Sequence, residues 1–195
     1  CSTGDGIFIG VSMSELYLIR HGRTEANEKW LYCGSTDLFL SESGAKELEN
    51  IKYSVPEDAI FITSGMNRTE QTLKILFGDI PHEIDSRFRE VDFGVFEMKS
   101  YESLKNQADY QAWISGDNEK NVPPNGESGE QMKKRVLEGL QDLLQETRPV
   151  VLVTHGGVIA SIMEHLYPVE NKNRYQWQPR PGHGYVIREG EYQEL

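Results

Sequence analysis

Leu16-Tyr17-Leu18-Ile19-Arg20-His21-Gly22-Arg23-Thr24 is a short apolar run that ends in two ionisable side chains and a glycine. Such a run reads as a buried strand, here Glu15–Arg20, emptying into a turn. Ligands of open α/β sheets bind in the crevice at the carboxyl ends of the strands. Arg20 and His21 therefore stand at the mouth of a site, and Gly22 lets backbone come close to a ligand.

The same arrangement recurs twice. Ala59-Ile60-Phe61-Ile62-Thr63 is a second buried strand that runs into Ser64-Gly65-Met66-Asn67-Arg68, and Val150-Val151-Leu152-Val153-Thr154 is a third that opens into His155-Gly156-Gly157. Helices follow both. The first carries the stripe Met66, Thr69, Leu73, Leu76 and Phe77, with Asn67 and Glu70 spaced as an N-cap and its partner. The second carries Val158, Ile159, Ile162, Met163 and Leu166.

Between these anchors, residues 23–40 read as a polar loop. Ser41–Tyr53 reads as a helix with Ala45, Leu48 and Ile51 on one face. A short segment lies around His82–Ile84, and residues 88–94 have no period and read as a loop. A helix is expected near Ser100–Gly116, and Pro123-Pro124-Asn125-Gly126 interrupts regular structure. Ser128 and Gln131 have capping-box spacing before a helix to about Glu146, whose core face is Met132, Val136, Leu140, Leu143 and Leu144. Gly184–Arg188 is a last short strand. Alternating strands and helices give an α/β domain with a mainly parallel sheet.

Composition narrows the function. The 195 residues suit one domain with a sizeable core. A net charge of −11 argues against nucleic acid as the main partner, since that binding rests on clustered Lys and Arg. A local cationic pocket is still compatible with it, because exposed charges are screened beyond about 8 Å at physiological salt. No apolar run approaches the roughly 20 residues that span a bilayer, so no membrane partner is expected. Two cysteines, Cys1 and Cys33, make no disulfide framework and point to a cytoplasmic setting. Residues 1–12 lack a basic n-region and a long apolar core. They read as an N-terminal extension or expression remnant before Met13, with 13–195 a single domain.

If the three strands are parallel neighbours, Arg20, His21, Arg68 and His155 converge on one crevice. Arginine presents a planar fork of donors that matches phosphate oxygens. Helix starts at Asn67 and Gly156 add free N–H groups and positive dipole ends. The pattern describes a pocket for a dianion, above all a phosphoryl group. A pocket that only binds has no need of two histidines, whereas imidazole can attack phosphorus and split one displacement into two. A leaving alkoxide also needs a proton. Glu90 sits in a loop where partial desolvation favours the protonated acid, and Asp92 and Glu97 compete with it on spacing alone.

Leu18-Ile19-Arg20-His21-Gly22-Arg23-Thr24 with Asn27 resembles the signature of the histidine phosphatase (phosphoglycerate mutase-like) superfamily. Ser64–Thr72 is similar to its second-arginine motif, Arg89–Glu97 to its acid loop, and Thr154-His155-Gly156-Gly157 to its second-histidine motif. The resemblance runs from about Glu15 to Arg188. It implies a three-layer α/β/α sandwich with a mainly parallel, mixed sheet. It also implies His21 as the nucleophile that becomes phosphohistidine, with Arg20, Arg68, His155 and Gly156 around the phosphoryl group and Asn27 in support. Glu90 would be the acid and then the base; no metal and no cofactor are expected. Gly34–Leu40 and Pro124–Ser128 look like loops of the α-ribazole phosphatase branch. Phe96 and Met98 depart from the pattern, standing where Trp and Gly are usual. Phosphoglycerate mutases of this kind carry an insertion after the acid loop that shields the phosphoenzyme. Only residues 98–127 stand there in this chain, which favours water as acceptor and hence a phosphatase acting on a small phosphorylated metabolite, α-ribazole 5′-phosphate or a sugar phosphate. The alternatives are a mutase-type transferase, a non-catalytic phosphate-binding module and a metal-dependent hydrolase. A monomer or homodimer is expected.

The remaining features have plain readings. His82, His165 and His183 read as surface or packing residues, and Glu164-His165 lacks a second histidine at metal-ligand spacing. Ser128 caps a helix and Glu127 favours its positive end. The aromatic residues of 101–113 and 175–177 read as core with one at the substrate mouth, Asn27 alone reads as a loop pin, and Cys33 as a loop thiol.

Overall fold

In the computed structural model, which describes residues 15–195, the chain begins with β1 (Glu15–Arg20), the short α1 (Glu25–Glu28), α2 (Glu42–Glu49), β2 (Ile60–Thr63), α3 (Asn67–Phe77) and β3 (Glu83–Ile84). It continues through α4 (Tyr101–Leu104), α5 (Ala108–Ile114), α6 (Gly129–Leu144), β4 (Val150–Thr154), α7 (Gly156–Leu166), α8 (Arg174–Trp177), β5 (Gly184–Arg188) and β6 (Glu191–Glu194). Residues 1–12, expected to be an extension or remnant, lie outside the described residues.

The six strands form one mixed sheet in the order β3-β2-β4-β1-β5-β6. The pairs β2–β3, β2–β4 and β1–β4 are parallel, and β5 and β6 join antiparallel at one edge. The three expected strands are thus parallel neighbours, with β4 in the middle and buried along its whole length. A strand covered on both faces has no polar side, which is why its sequence is a continuous apolar run.

Alternation along the strands divides the core between two faces. Leu16, Leu18, Val150 and Leu152 pack with Met132, Val136 and Leu140 of α6 and Ile159, Ile162 and Met163 of α7. Tyr17, Ile19, Val151 and Val153 point the other way, onto Leu73, Leu76 and Phe77 of α3. Helix, sheet and helix make the expected three layers. A third cluster, Phe96, Leu104 and Tyr110 with Tyr32, Phe93 and Trp113, packs beneath the loops that follow the acid motif.

Several local expectations are corrected. The helix expected over 41–53 is capped by Ser41 but stops at Glu49, because the chain then turns so that Tyr53 and Val55 lie against the sheet. Asn67 is the first residue of α3 rather than its cap; Met66 holds the cap position without a side-chain bond. Asn67 instead donates its N–H and amide to Asp37, at 2.7 and 3.1 Å, while Glu70 takes Thr63 Oγ1 at 2.9 Å. The helix expected over 100–116 is two short helices. Leu104 and Tyr110 both bury in the third cluster, and six residues apart on one continuous helix they would face divergent directions. Residues 23–40 contain α1, closed by a capping box between Thr24 and Asn27. The strand β6 escaped notice because Glu-Tyr-Gln-Glu is a polar edge strand. It is reached through Glu189-Gly190, both with positive φ (50° and 81°), the twist that two-residue hairpins favour.

Candidate active site

The parallel strands deliver their terminal residues to one place. His21 N donates to Thr154 O at 2.9 Å, locking the end of β1 to the end of β4. The His21 ring lies 5.2 Å from that of His155, centroid to centroid, at 61°. His21 Nδ1 lies 2.7 Å from Gly22 O; a carbonyl only accepts, so Nδ1 carries the proton and Nε2 presents its lone pair. Burial and the charges of Arg68 and Arg20 hold His21 well below its ordinary 6.5, so the ring is neutral at pH 7. Gly22 N is in turn held by Thr72 Oγ1 of α3 at 2.9 Å.

His155 is fully buried, and burial and Arg68 lower it in the same way. Its Nε2 is 2.8 Å from Ser64 Oγ at the end of β2, while its Nδ1 is buried with no hydrogen-bond partner. Arg20 shows the same signature: Nη1 donates to Pro179 O at 2.8 Å and the buried Nε has no partner. Two buried, unpartnered polar atoms on neighbouring side chains are costly unless a ligand completes them. Burial also lowers the Arg20 pKa, with Glu90 acting against it. Arg68 is 1% exposed, its guanidinium aimed by two carbonyls: Nη2 donates to Gly34 O at 2.6 Å and Nη1 to Thr36 O at 2.8 Å.

Hydrogen bonds separate the three carboxylates that sequence left in competition. Asp92 Oδ1 accepts from Ser35 Oγ and Gly94 N, at 2.9 and 2.8 Å. Glu97 is taken up by the 34–36 segment and Phe93 N. Glu90 alone lines the cavity with Arg20; its Oε1 accepts from Val91 N and its Oε2 from Gly157 N, both at 3.0 Å. A Cβ on Gly157 would stand 2.5 Å from Glu90 Oε1, so the second glycine after His155 is what lets the carboxylate approach α7. A Cβ on Gly156 would stand 3.1 Å from Arg20 Cζ, so that glycine makes room for the guanidinium.

Asn27 lines the same cavity, but its Oδ1 accepts from Thr24 N and Oγ1 at 2.9 and 3.0 Å, so its oxygen is spent on the cap of α1. The cavity holds about 310 Å³ and is also lined by Tyr32, Phe93, Trp113 and Tyr175. Cys33 is on its wall, the thiol pushed up by burial.

Sequence reasoning missed Arg135. From α6 it donates to Arg87 O, Arg89 O and Glu90 O at 2.7, 2.6 and 3.1 Å, and pairs through two nitrogens with Glu127 at 2.8 Å. Glu127 is therefore the partner of the arginine that clamps the acid loop, beyond any effect on the helix end. Only the eight-residue spacing of Glu127 and Arg135 hinted at it. His82 is exposed and faces Glu70, while His183 accepts from Arg20 N through its carbonyl at 2.9 Å and turns its ring to Leu195 O at 3.1 Å. Among the described residues no group of three His, Cys, Asp or Glu is placed to hold a metal ion.

Two buried histidines, the buried Arg68 and the half-buried Arg20 thus gather at the carboxyl ends of the parallel strands, with Glu90 on the cavity wall beside Arg20. The chain belongs to the histidine phosphatase superfamily (branch 1), whose family pattern matches residues 16–193. Its members are phosphatases and mutases. An adenosylcobalamin/alpha-ribazole phosphatase of Salmonella typhimurium is 28% identical over 176 residues, covering 86% of each chain. A probable phosphoglycerate mutase GpmB of Escherichia coli is 32% identical over 153 residues, 74% of this chain and 70% of that one. Among solved structures, a putative alpha-ribazole-5′-P phosphatase from Escherichia coli K-12 superposes with a TM-score of 0.78 at 26% identity, covering 94% and 95% of the two chains. A phosphoglycerate mutase from Thermus thermophilus gives 0.70 at 26%, covering 93% and 96%.

Proposed function

We propose that this protein is a metal-independent phosphatase that hydrolyses a small phosphomonoester through a phosphohistidine on His21. The observation that carries the reading is the state of His21. Its Nδ1–H is spent on Gly22 O, and burial together with the charges of Arg68 and Arg20 holds its ring neutral, leaving the lone pair on Nε2. In the first step that lone pair forms the N–P bond while the ester P–O bond breaks, and the proton on Glu90 passes to the leaving oxygen. In the second, Glu90 takes a proton from water, the water oxygen bonds to phosphorus, and the N–P bond breaks. The Arg20 and Arg68 guanidinia and His155 Nδ1 offset charge on the non-bridging oxygens throughout.

The relatives named for alpha-ribazole favour α-ribazole 5′-phosphate as substrate, with sugar phosphates next. The relative named as a probable phosphoglycerate mutase supports a second reading, in which the phosphohistidine passes its group to another hydroxyl. One assay separates them: phosphate release with EDTA present, wild type against His21→Ala, on α-ribazole 5′-phosphate, 3-phosphoglycerate and p-nitrophenyl phosphate. The proposal predicts release that requires His21 and tolerates EDTA. Isomerised 3-phosphoglycerate without free phosphate supports the mutase reading, and EDTA-sensitive release contradicts both.

A further inference from the structure

The acid loop has a second carboxylate whose surroundings the proposed chemistry does not use. Glu97 Oε1 accepts from Ser35 N at 2.8 Å and Phe93 N at 3.0 Å. Its Oε2 accepts from Thr36 Oγ1 at 2.7 Å, and Gly34 N bridges both oxygens at 3.1 Å. Those donors belong to the short segment whose carbonyls, Gly34 O and Thr36 O, hold the two terminal nitrogens of Arg68.

We propose that Glu97 is the positioning residue for Arg68: its carboxylate fixes the 34–36 segment so that two carbonyls aim the guanidinium at the phosphoryl group. This rests on the phosphatase reading of the site and adds a residue to it. The segment has no strand or helix ladder to fix its carbonyls, so its geometry comes from the groups that bind its N–H and hydroxyl donors. An ionised carboxylate is the only common side chain that accepts at every position and donates at none, and bonds to it are stronger than neutral ones. Glu97 does not line the cavity that Glu90 lines, which leaves it no place in proton transfer.

Two further observations place the contact under constraint. A Cβ on Gly34 would overlap the carbonyl oxygen of Val91, so the two loops touch backbone to backbone at the residue following Glu90. Met98, the residue after Glu97, has φ +60°, a left-handed conformation uncommon for a long side chain, and its N–H donates to Tyr32 O at 2.7 Å. Strain of this kind persists where surroundings over-determine it, often at functional sites. Here the Met98 N–H ties the residue after Glu97 to Tyr32, two residues before Gly34. Phe93 N ties the same carboxylate to its own loop, while Glu90 is held separately by Val91 N, Gly157 N and Arg135.

The test is a double-mutant cycle read in kcat/KM and in the dissociation constant of inorganic phosphate. Glu97→Gln is expected to lower kcat/KM by about 10- to 100-fold, equally for alkyl and aryl phosphomonoesters, as expected for a misplaced binding group. Phosphate binding should weaken in parallel. In an Arg68→Ala background the same change should cost within about twofold of nothing, because the group it positions is gone. Equal losses in both backgrounds, whether or not Tm falls, would show a merely structural role. A loss confined to poor leaving groups would show an acid instead, and either result overturns the proposal. Thr36→Val removes one donor to Glu97 and keeps the carbonyl to Arg68. It should weaken phosphate binding severalfold with the same non-additivity, and unchanged binding overturns the proposal even if Glu97→Gln does not fold. Calorimetric phosphate binding by the wild type keeps the two readings apart. Its absence defeats the phosphatase reading, whereas normal binding by both wild type and Glu97→Gln defeats only the role of Glu97.

Discussion

The two ends of the cavity are built by opposite means. At the inner end, Arg20 closes β1 on the cavity wall, next to the strand-end cluster in which His21 and His155 follow β1 and β4 and Arg68 lies in the first turn of the helix after β2; His21, Arg68 and His155 are 5%, 1% and 0% exposed. At the outer end the walls come from loops and short helices: Tyr32, Trp113 of α5, and Tyr175 of α8, which is 76% exposed. Trp30, nearby on the rim, is 87% exposed and sits at φ +55°. On the proposed reading, the packed sheet end would hold the phosphoryl chemistry and the exposed loops would select the leaving group. Glu90 stands on the border, on a loop but clamped by Arg135 and α7.

That division makes predictions of unequal size. His21→Ala should lower turnover of every phosphomonoester by about 10⁴-fold or more, regardless of leaving group. A loss that varied with the leaving group would place His21 on the outer side of the division. Glu90→Gln should lower kcat by about 10²- to 10³-fold on alkyl phosphates and much less on p-nitrophenyl phosphate, a leaving group that needs little protonation. Steady-state rates on matched alkyl and aryl substrates decide it, and equal losses would move Glu90 into the inner, positioning class.

The third prediction concerns stability, and only the inner end carries it. His21 and His155 titrate lower in the folded protein than the 6.5 of an ordinary histidine, so between those values the unfolded chain binds more protons. Stability is therefore greatest above pH 6.5 and falls as the pH drops through that window, by at most about 1.4 kcal/mol per unit for each ring. His82, raised by the Ile80 carbonyl and Glu70, opposes this weakly from the surface. Thermal melts between pH 7.5 and 5 should show the decline, and His155→Gln should flatten it; an unchanged slope in that variant contradicts the burial account. The smallest effect is expected outside. Tyr175→Ala should change KM by a few fold in a way that depends on the leaving group, with Tm within a degree or two of wild type, as for most exposed sites. A uniform fall in kcat would erase the distinction between the two ends.

Legibility in the sequence followed the same line. The buried strands β1, β2 and β4 are unbroken apolar runs, and the residue that matters is at or just after each run's end, so Arg20, His21, Arg68 and His155 could be read from pattern and motif together. The edge strand β6 is polar, and the break between α4 and α5 answers to a packing demand set by distant Phe96 and Tyr32. Neither has a local signal. Choosing among Glu90, Asp92 and Glu97 needed hydrogen-bond partners that lie more than fifty residues away in the chain, such as Ser35 and Gly157. Arg135 resembles any arginine on the solvent side of a helix until its carbonyl partners are seen. Met98, noted as a departure from the family pattern, has its physical meaning only in its left-handed φ.

The central claim is that His21 Nε2 forms a bond to phosphorus. The most direct measurement is to mix the protein with p-nitrophenyl phosphate, quench in alkali within the first turnovers, and map the phosphorylated peptide by mass spectrometry. The account predicts a phosphate on the peptide containing His21, stable in base, lost in acid and absent from His21→Ala. Steady turnover with no phosphopeptide, or a phosphate on any other residue, would contradict it.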